Sequence, residues 1–228
     1  MIRGFVLFIV ILFCCCSSEI NNKKIIQNTN SISKINVPIF NEDSAYFFIQ
    51  EQVDFGPRFL SSPGWEKCSL YLEKKLKTYT KNVFVQEAPT KTYDNKKHTL
   101  KNIIASFSPE KNNRIALMAH WDTRHIADYD TINQKQPILG ANDGGSGVAV
   151  LLELARTFSL QKPNIGIDII LFDAEDYGQP ENSTYPMMQN SWCLGSQYWS
   201  KNPHKKNYFA KYGILLDMVG AKDAVFTF

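Results

Sequence analysis

Little in these 228 residues is present in excess. Twenty-five Lys and Arg face 22 Asp and Glu, a formal net charge of +3, so no basic surplus argues for nucleic acid as a partner. No internal repeat is visible. The apolar run FVLFIVILF at 5–13 is too short to span a bilayer. Cysteine is scarce: of five, three are adjacent at 14–16, and the remaining Cys68 and Cys193 do not make a disulfide framework. Those two either pair or stay as free, buried thiols. What is left, 44% hydrophobic and 21% charged residues, describes an ordinary globular chain long enough for one substantial domain and not for two.

The N-terminus has its own logic. Arg3, the short apolar run and then cysteine and serine read as an export signal over residues 1–16, the alternative being a short buried helix. Cysteine directly after an apolar run also suggests a lipoprotein signal, with Cys15 or Cys16 lipidated and the chain tethered to a membrane of the cell envelope. Residues 17–39, rich in Asn, Lys and Ser, suit a flexible linker, and the folded domain is expected over 40–228.

From Phe40 onward helices and strands alternate. NEDSAYFFIQEQVDF predicts a first helix capped by Asn41 or Asp43. A Gly-Pro turn at 56–57 precedes a second helix from about Gly64, with Leu70, Leu72, Leu76 and Tyr79 as its apolar stripe. VFVQEA (83–88), LKNIIASF (100–107) and RIALMAH (114–120) are strand candidates, and GVAVLLELARTF (147–158) is helical. IDIILFDA (167–174) and GILLDMV (213–219) are nearly continuous apolar runs, the pattern of strands buried on both faces. The order implies an α/β fold: a mixed, mostly parallel central sheet flanked by helices.

Several apolar strands end in a ligand-type residue. RIALMA runs into His120 and Asp122, ILGAND brings Asp143 up to the long helix, IDIILF runs into Asp173, Glu175 and Asp176, and GILL runs into Asp217. In a parallel sheet the strand C-termini share one edge, so side chains a hundred residues apart can converge there. A single Asp after a strand is an ordinary turn or helix cap. Three such strand ends and the loop that carries Asp143, in one domain, suit a zinc ion or a zinc pair. Within the pair Glu175–Asp176, one carboxylate would coordinate the metal and its neighbour serve as general base.

The motifs AHWDTR (119–124), ILGANDGGSGVAVLLELAR (138–156), DIILFDAEDYG (168–178), WCLGSQYW (192–199) and GILLDMVGA (213–221) together resemble the bacterial glutaminyl-peptide cyclotransferases, members of the zinc aminopeptidase superfamily, from about residue 40 onward. The resemblance implies a zinc aminopeptidase-like α/β fold and one zinc per chain. It makes Asp143 and Asp176 zinc ligands, the latter where the family usually has glutamate. Glu175 becomes the general acid/base and Asp217 a carboxylate hydrogen-bonded near the reacting centre. His120 matches a ligand of the second zinc that the aminopeptidases hold, and Asp122 would orient these groups from behind. The implied substrates are peptides or proteins with N-terminal glutamine, converted to pyroglutamate with release of ammonia. The family's third zinc ligand is a histidine near the C-terminus, whereas the last histidine here, His204, precedes the GILLDMV strand. The sequence is therefore expected to be incomplete at its C-terminal end. Two other readings stay open, a two-zinc aminopeptidase and a non-catalytic relic of the fold.

Overall fold

A computed structural model describes residues 37–225. The expected export signal, the lipidated Cys15 or Cys16 and most of the linker lie outside the described residues. Helix α1 (Glu42–Asp54) starts where the Asn41 side chain accepts the Ser44 N–H, and α2 (Pro63–Tyr79) starts where Ser62 accepts that of Trp65. Each cap satisfies a backbone donor that the first turn leaves free. In α2, Leu72 and Leu76 are buried together with Trp65 and Cys68, but Leu70 is 57% exposed. The core-facing stripe is set by Trp65, Cys68, Leu72 and Leu76, spaced three or four apart, and Leu70 falls off it.

Strands β1 (Val83–Lys91), β2 (Lys97–Phe107) and β3 (Arg114–His120) follow, then α3 (Gly145–Leu160), β4 (Gly166–Phe172), α4 (Leu194–Lys201) and β5 (Gly213–Leu215). They form one mixed sheet in the order β1-β2-β4-β3-β5. The pairs β1–β2 and β2–β4 are antiparallel, whereas β3–β4 and β3–β5 are parallel.

Alternation along the strands divides the core. Ile103, Ala105, Ile167, Ile169 and Leu171 pack toward Phe48, Trp65, Leu72, Leu76, Val148 and Leu152 of the first three helices. Ile104, Ile170, Phe172 and Ala116 face the other way, against Trp199 and Ala210. All seven residues of β4 are buried, as its nearly continuous apolar run predicts. β5 differs: its three residues are exposed, because among the described residues it pairs with β3 alone. Cys68 is buried, Cys193 half-buried, and both are free thiols. Among the described residues no helix is long and apolar enough to cross a membrane.

Candidate metal centre

Because β3, β4 and β5 run parallel, their C-terminal ends leave the sheet along one edge. The backbone turns sharply beside the acids there. Ala174 (φ 56°), Met218 (φ 49°) and Gly144 (φ 77°) are left-handed, next to Glu175, Asp217 and Asp143 respectively. In a residue with a Cβ this conformation costs on the order of 1–3 kcal/mol and persists only where its surroundings impose it. At Gly144 a Cβ would also lie 2.6 Å from the Asp122 carbonyl oxygen and 3.2 Å from the His120 ring. Glycine after Asp143 is what lets this loop approach the imidazole so closely.

His120, at the end of β3, stands in the middle. Its Nε2 is 2.9 Å from Asp143 Oδ1 and 3.6 Å from Asp217 Oδ1. Its Nδ1 is 3.5 Å from Asp122 Oδ1, too far to count as a well-made hydrogen bond. The ring is buried and Asp122 fully so, while the side chains of Asp143 and Asp217 are 43% and 45% exposed. Two sets of potential ligand atoms gather within 4.8 Å: those of His120, Asp143 and Asp176, and those of His120, Glu175 and Asp217. Behind them Asp122 accepts the N–H groups of Glu175 (2.9 Å) and Asp176 (3.0 Å). It thereby fixes the backbone of both acids from outside the donor set.

The electrostatics are those of a site short of positive charge. Burial, then the neighbouring Asp122, pushes the Asp176 carboxyl up to about 8. Burial likewise raises Glu175, against the pull of His120. Burial disfavours a charged His120, but the surrounding carboxylates of Asp122, Asp143 and Asp217 outweigh it and hold its pKa well above the usual value. The nearby imidazole of His120 lowers Asp217. Asp176 Oδ2 and His120 Nδ1 are buried without a hydrogen-bond partner, a costly condition for polar atoms. Carboxylate oxygens and an imidazole nitrogen, with the buried Asp176 Oδ2 unanswered, fit a divalent cation of the zinc type.

The structure gathers Asp143, Glu175, Asp176, Asp217 and His120 as the strand-end pattern predicts, and it separates Asp173 from them. Fully buried, Asp173 accepts Trp65 Nε1 (3.0 Å) and the backbone N–H groups of Lys101 (2.7 Å) and Ala174 (2.8 Å). It ties α2 and β2 to the end of β4. His204 lies apart from the cluster, accepting from Trp199 Nε1 at 3.1 Å and packing against Tyr208.

Two arginines that the strand-end pattern does not single out hold the loops. The fully buried Arg58 donates to the carbonyls of Trp121, Gln52, Leu139 and Gly140, anchoring the segment that leads to Asp143. Nothing about an arginine in a Gly-Pro turn signals that role. Arg124, in the AHWDTR motif, donates to the carbonyls of Asp176 and Gly178.

Residues 102–228, more than half of the chain, match the model of peptidase family M28. The chain belongs to peptidase family M28. Among solved structures, this M28 chain is similar to a Zn-dependent exopeptidase from Parabacteroides distasonis, with 52% identity and a TM-score of 0.81, over 83% of this chain and 65% of that one. It is equally similar to a Bacteroides thetaiotaomicron glutaminyl cyclase bound to N-acetylhistamine, with 51% identity and a TM-score of 0.81, over 84% and 66%. A curated relative, the Drosophila melanogaster glutaminyl-peptide cyclotransferase, is 27% identical over 64% of this chain and 38% of its own length. The chain thus spans about two thirds of these solved relatives and 38% of the curated one. The mixed sheet flanked by helices is the zinc aminopeptidase-like fold of these relatives. The zinc-dependent exopeptidase among them and the donor set together point to zinc as the cation.

Proposed function

We propose that the chain carries the catalytic centre of a zinc-dependent glutaminyl-peptide cyclotransferase, which converts N-terminal glutamine of peptides to pyroglutamate and releases ammonia. One observation carries this reading. An acid, Glu175, stands within a donor cluster whose other members can hold the cation, in a chain that is half identical to a bacterial glutaminyl cyclase.

Asp143 and Asp176 would hold a single zinc, and the His120 ring, whose ligand atom lies within 4.8 Å of theirs, stands beside them. When bound, the ion supplies a Lewis acid beside the amide carbonyl of the substrate. The α-amine of the N-terminal residue attacks its own side-chain amide carbon and closes a five-membered lactam. Glu175, raised by burial, takes the proton shed by that amine and delivers it to the departing amide nitrogen, which leaves as ammonia. Asp217, at the mouth of the cluster, orients the reacting amide by a hydrogen bond. Both reactants belong to one residue, so the remaining task of the pocket is to hold the attacking conformer and keep water away. Export through residues 1–16, with a lipid tether at Cys15 or Cys16, completes the proposal and puts the enzyme in the cell envelope.

The test compares two variants for zinc content and for ammonia release from a glutaminyl dipeptide. Glu175→Gln keeps its zinc and loses roughly 10²–10⁴ in turnover, the usual scale for removing a general base. Asp143→Ala loses both. A fully active Glu175→Gln protein would overturn the assigned role. A second reading, a two-zinc aminopeptidase, draws on the second donor set formed by His120, Glu175 and Asp217. It predicts two zinc ions per chain and free amino acids instead of ammonia.

A further inference from the structure

The backbone of Asp176 is gripped from two sides. Its N–H donates to Asp122 Oδ2 at 3.0 Å. Its carbonyl accepts from Arg124 Nη1 at 2.8 Å, and the same Nη1 reaches the carbonyl of Gly178 at 3.0 Å. Both gripping residues leave the end of β3, two positions apart. The rest of the Arg124 guanidinium is committed as well. Nε and Nη2 donate to the two oxygens of Asp128 at 2.8 and 2.6 Å, and the group lies 4.3 Å from the centre of the Trp192 ring. Arg124 is 7% exposed, so these contacts are made largely out of water, where charge-assisted hydrogen bonds are strong.

The Trp192 ring rests on Gly178, where a Cβ would fall 1.9 Å from a ring carbon. The next residue, Cys193, donates its N–H to the carbonyl of Glu175 at 3.0 Å. A single guanidinium therefore fixes the backbone of Asp176 directly and reaches that of Glu175 through Trp192 and Cys193. Without it, two carbonyls, a carboxylate and a tryptophan face lose a shared partner. The Asp176 side chain, whose Oδ2 is buried without a hydrogen bond, is then free to move with its loop.

We propose that Arg124 is a positioning residue of the metal centre, setting Asp176 for the cation and Glu175 for proton transfer by clamping the loop that bears both. The proposal rests on the reading of Asp176 as a zinc ligand. Lysine cannot replace it fully, because one ammonium cannot span two carbonyls and a carboxylate while stacking on an indole.

The test measures zinc dissociation constants by chelator competition for the wild-type chain and for Arg124→Met, Arg124→Lys and Trp192→Ala, at a temperature where circular dichroism shows each to be folded. Loss of an orienting partner behind a ligand typically costs 10–100-fold in metal affinity, and Arg124→Met should fall in that range. Arg124→Lys should recover part of the loss, and Trp192→Ala should show a smaller effect of the same sign. A purely structural arginine would lower the melting temperature and leave zinc affinity of the folded protein unchanged, and that result overturns the proposal. Should Arg124→Met fail to fold, an unchanged affinity in both Arg124→Lys and Trp192→Ala overturns it instead. Wild-type protein that takes up no zinc overturns the metal reading together with this one, so the two failures are distinct.

Discussion

Asp168 and Asp176 stand eight positions apart, on β4 and on the loop that leaves it, and the protein treats them in opposite ways. Asp168 is fully buried but amply answered. Arg114 donates to it through Nε (2.6 Å) and Nη2 (2.9 Å), and Ser106 and Tyr208 add their hydroxyls. Burial alone would raise its pKa, and the Arg114 and Ser106 hydrogen bonds outweigh it and hold the carboxyl below its ordinary value. Asp176 has no such donors at Oδ2, and burial takes it up to about 8. A buried acid surrounded by donors is part of the framework. A buried acid whose neighbours are other acids and an imidazole is arranged for something outside the chain.

The contrast breaks most severely if Asp168 is neutralised. Asp168→Asn leaves the Arg114 guanidinium buried without its counter-ion, and removing one member of such a pair costs about 3–5 kcal/mol. Urea unfolding checks the loss. Since Asp168 lies on the strand and not in the donor cluster, the folded variant should bind zinc as the parent does. The acid limb carries a second signature. A carboxyl with a lowered folded pKa contributes stability that is present above its unfolded pKa and is lost as pH falls through the folded value. Asp168→Asn lacks that contribution, so its stability should decline less than that of the parent as pH falls below about 4, the unperturbed carboxylate value.

Zinc sharpens the same contrast from the other side. An ion that binds only the folded chain stabilises it by about 2.7 kcal/mol at a hundred times its dissociation constant. Thermal unfolding with and without zinc should show that gain in the parent and in Asp168→Asn. In Asp143→Ala it should vanish. A gain retained by Asp143→Ala would mean that the cation sits elsewhere.

How far this contrast was legible in the sequence depends on distance along the chain. The convergence of His120, Glu175, Asp176 and Asp217 follows from apolar runs that end in ligand-type residues, because parallel strands end on a common edge; Asp143 joins them from the loop ahead of α3. The helix cap at Asn41 and the buried run of β4 are equally local signals. Asp173 was not separable from its neighbours by pattern, since its partner Trp65 lies 108 positions away. The role of Arg58 depends on carbonyls, three of the four lying 63 to 82 positions away, and carbonyls have no sequence signature. The exposure of β5 could not be read either. An apolar run reports what a strand is able to bury, and its neighbours in the sheet decide what it does bury.

The smallest expected effect tests whether the two regions communicate. Tyr208 lies in the segment that leads into β5, and β5 delivers Asp217 to the candidate metal centre. Tyr208→Phe removes one hydroxyl from Asp168 and leaves Arg114 and Ser106 in place. The cost should be near the low end for a hydrogen bond to a charged group, about 1.5 kcal/mol, read from the denaturation midpoint at unchanged slope. Because Asp217 is also held by its contact with His120 and by the β3–β5 pairing at Met118 and Leu215, its place does not depend on that hydroxyl. Zinc affinity and turnover should therefore stay at parental values. A fall in either would show that the framework acid transmits its state to the catalytic edge through the segment ahead of β5, and the division between the two carboxylates would then be one of degree.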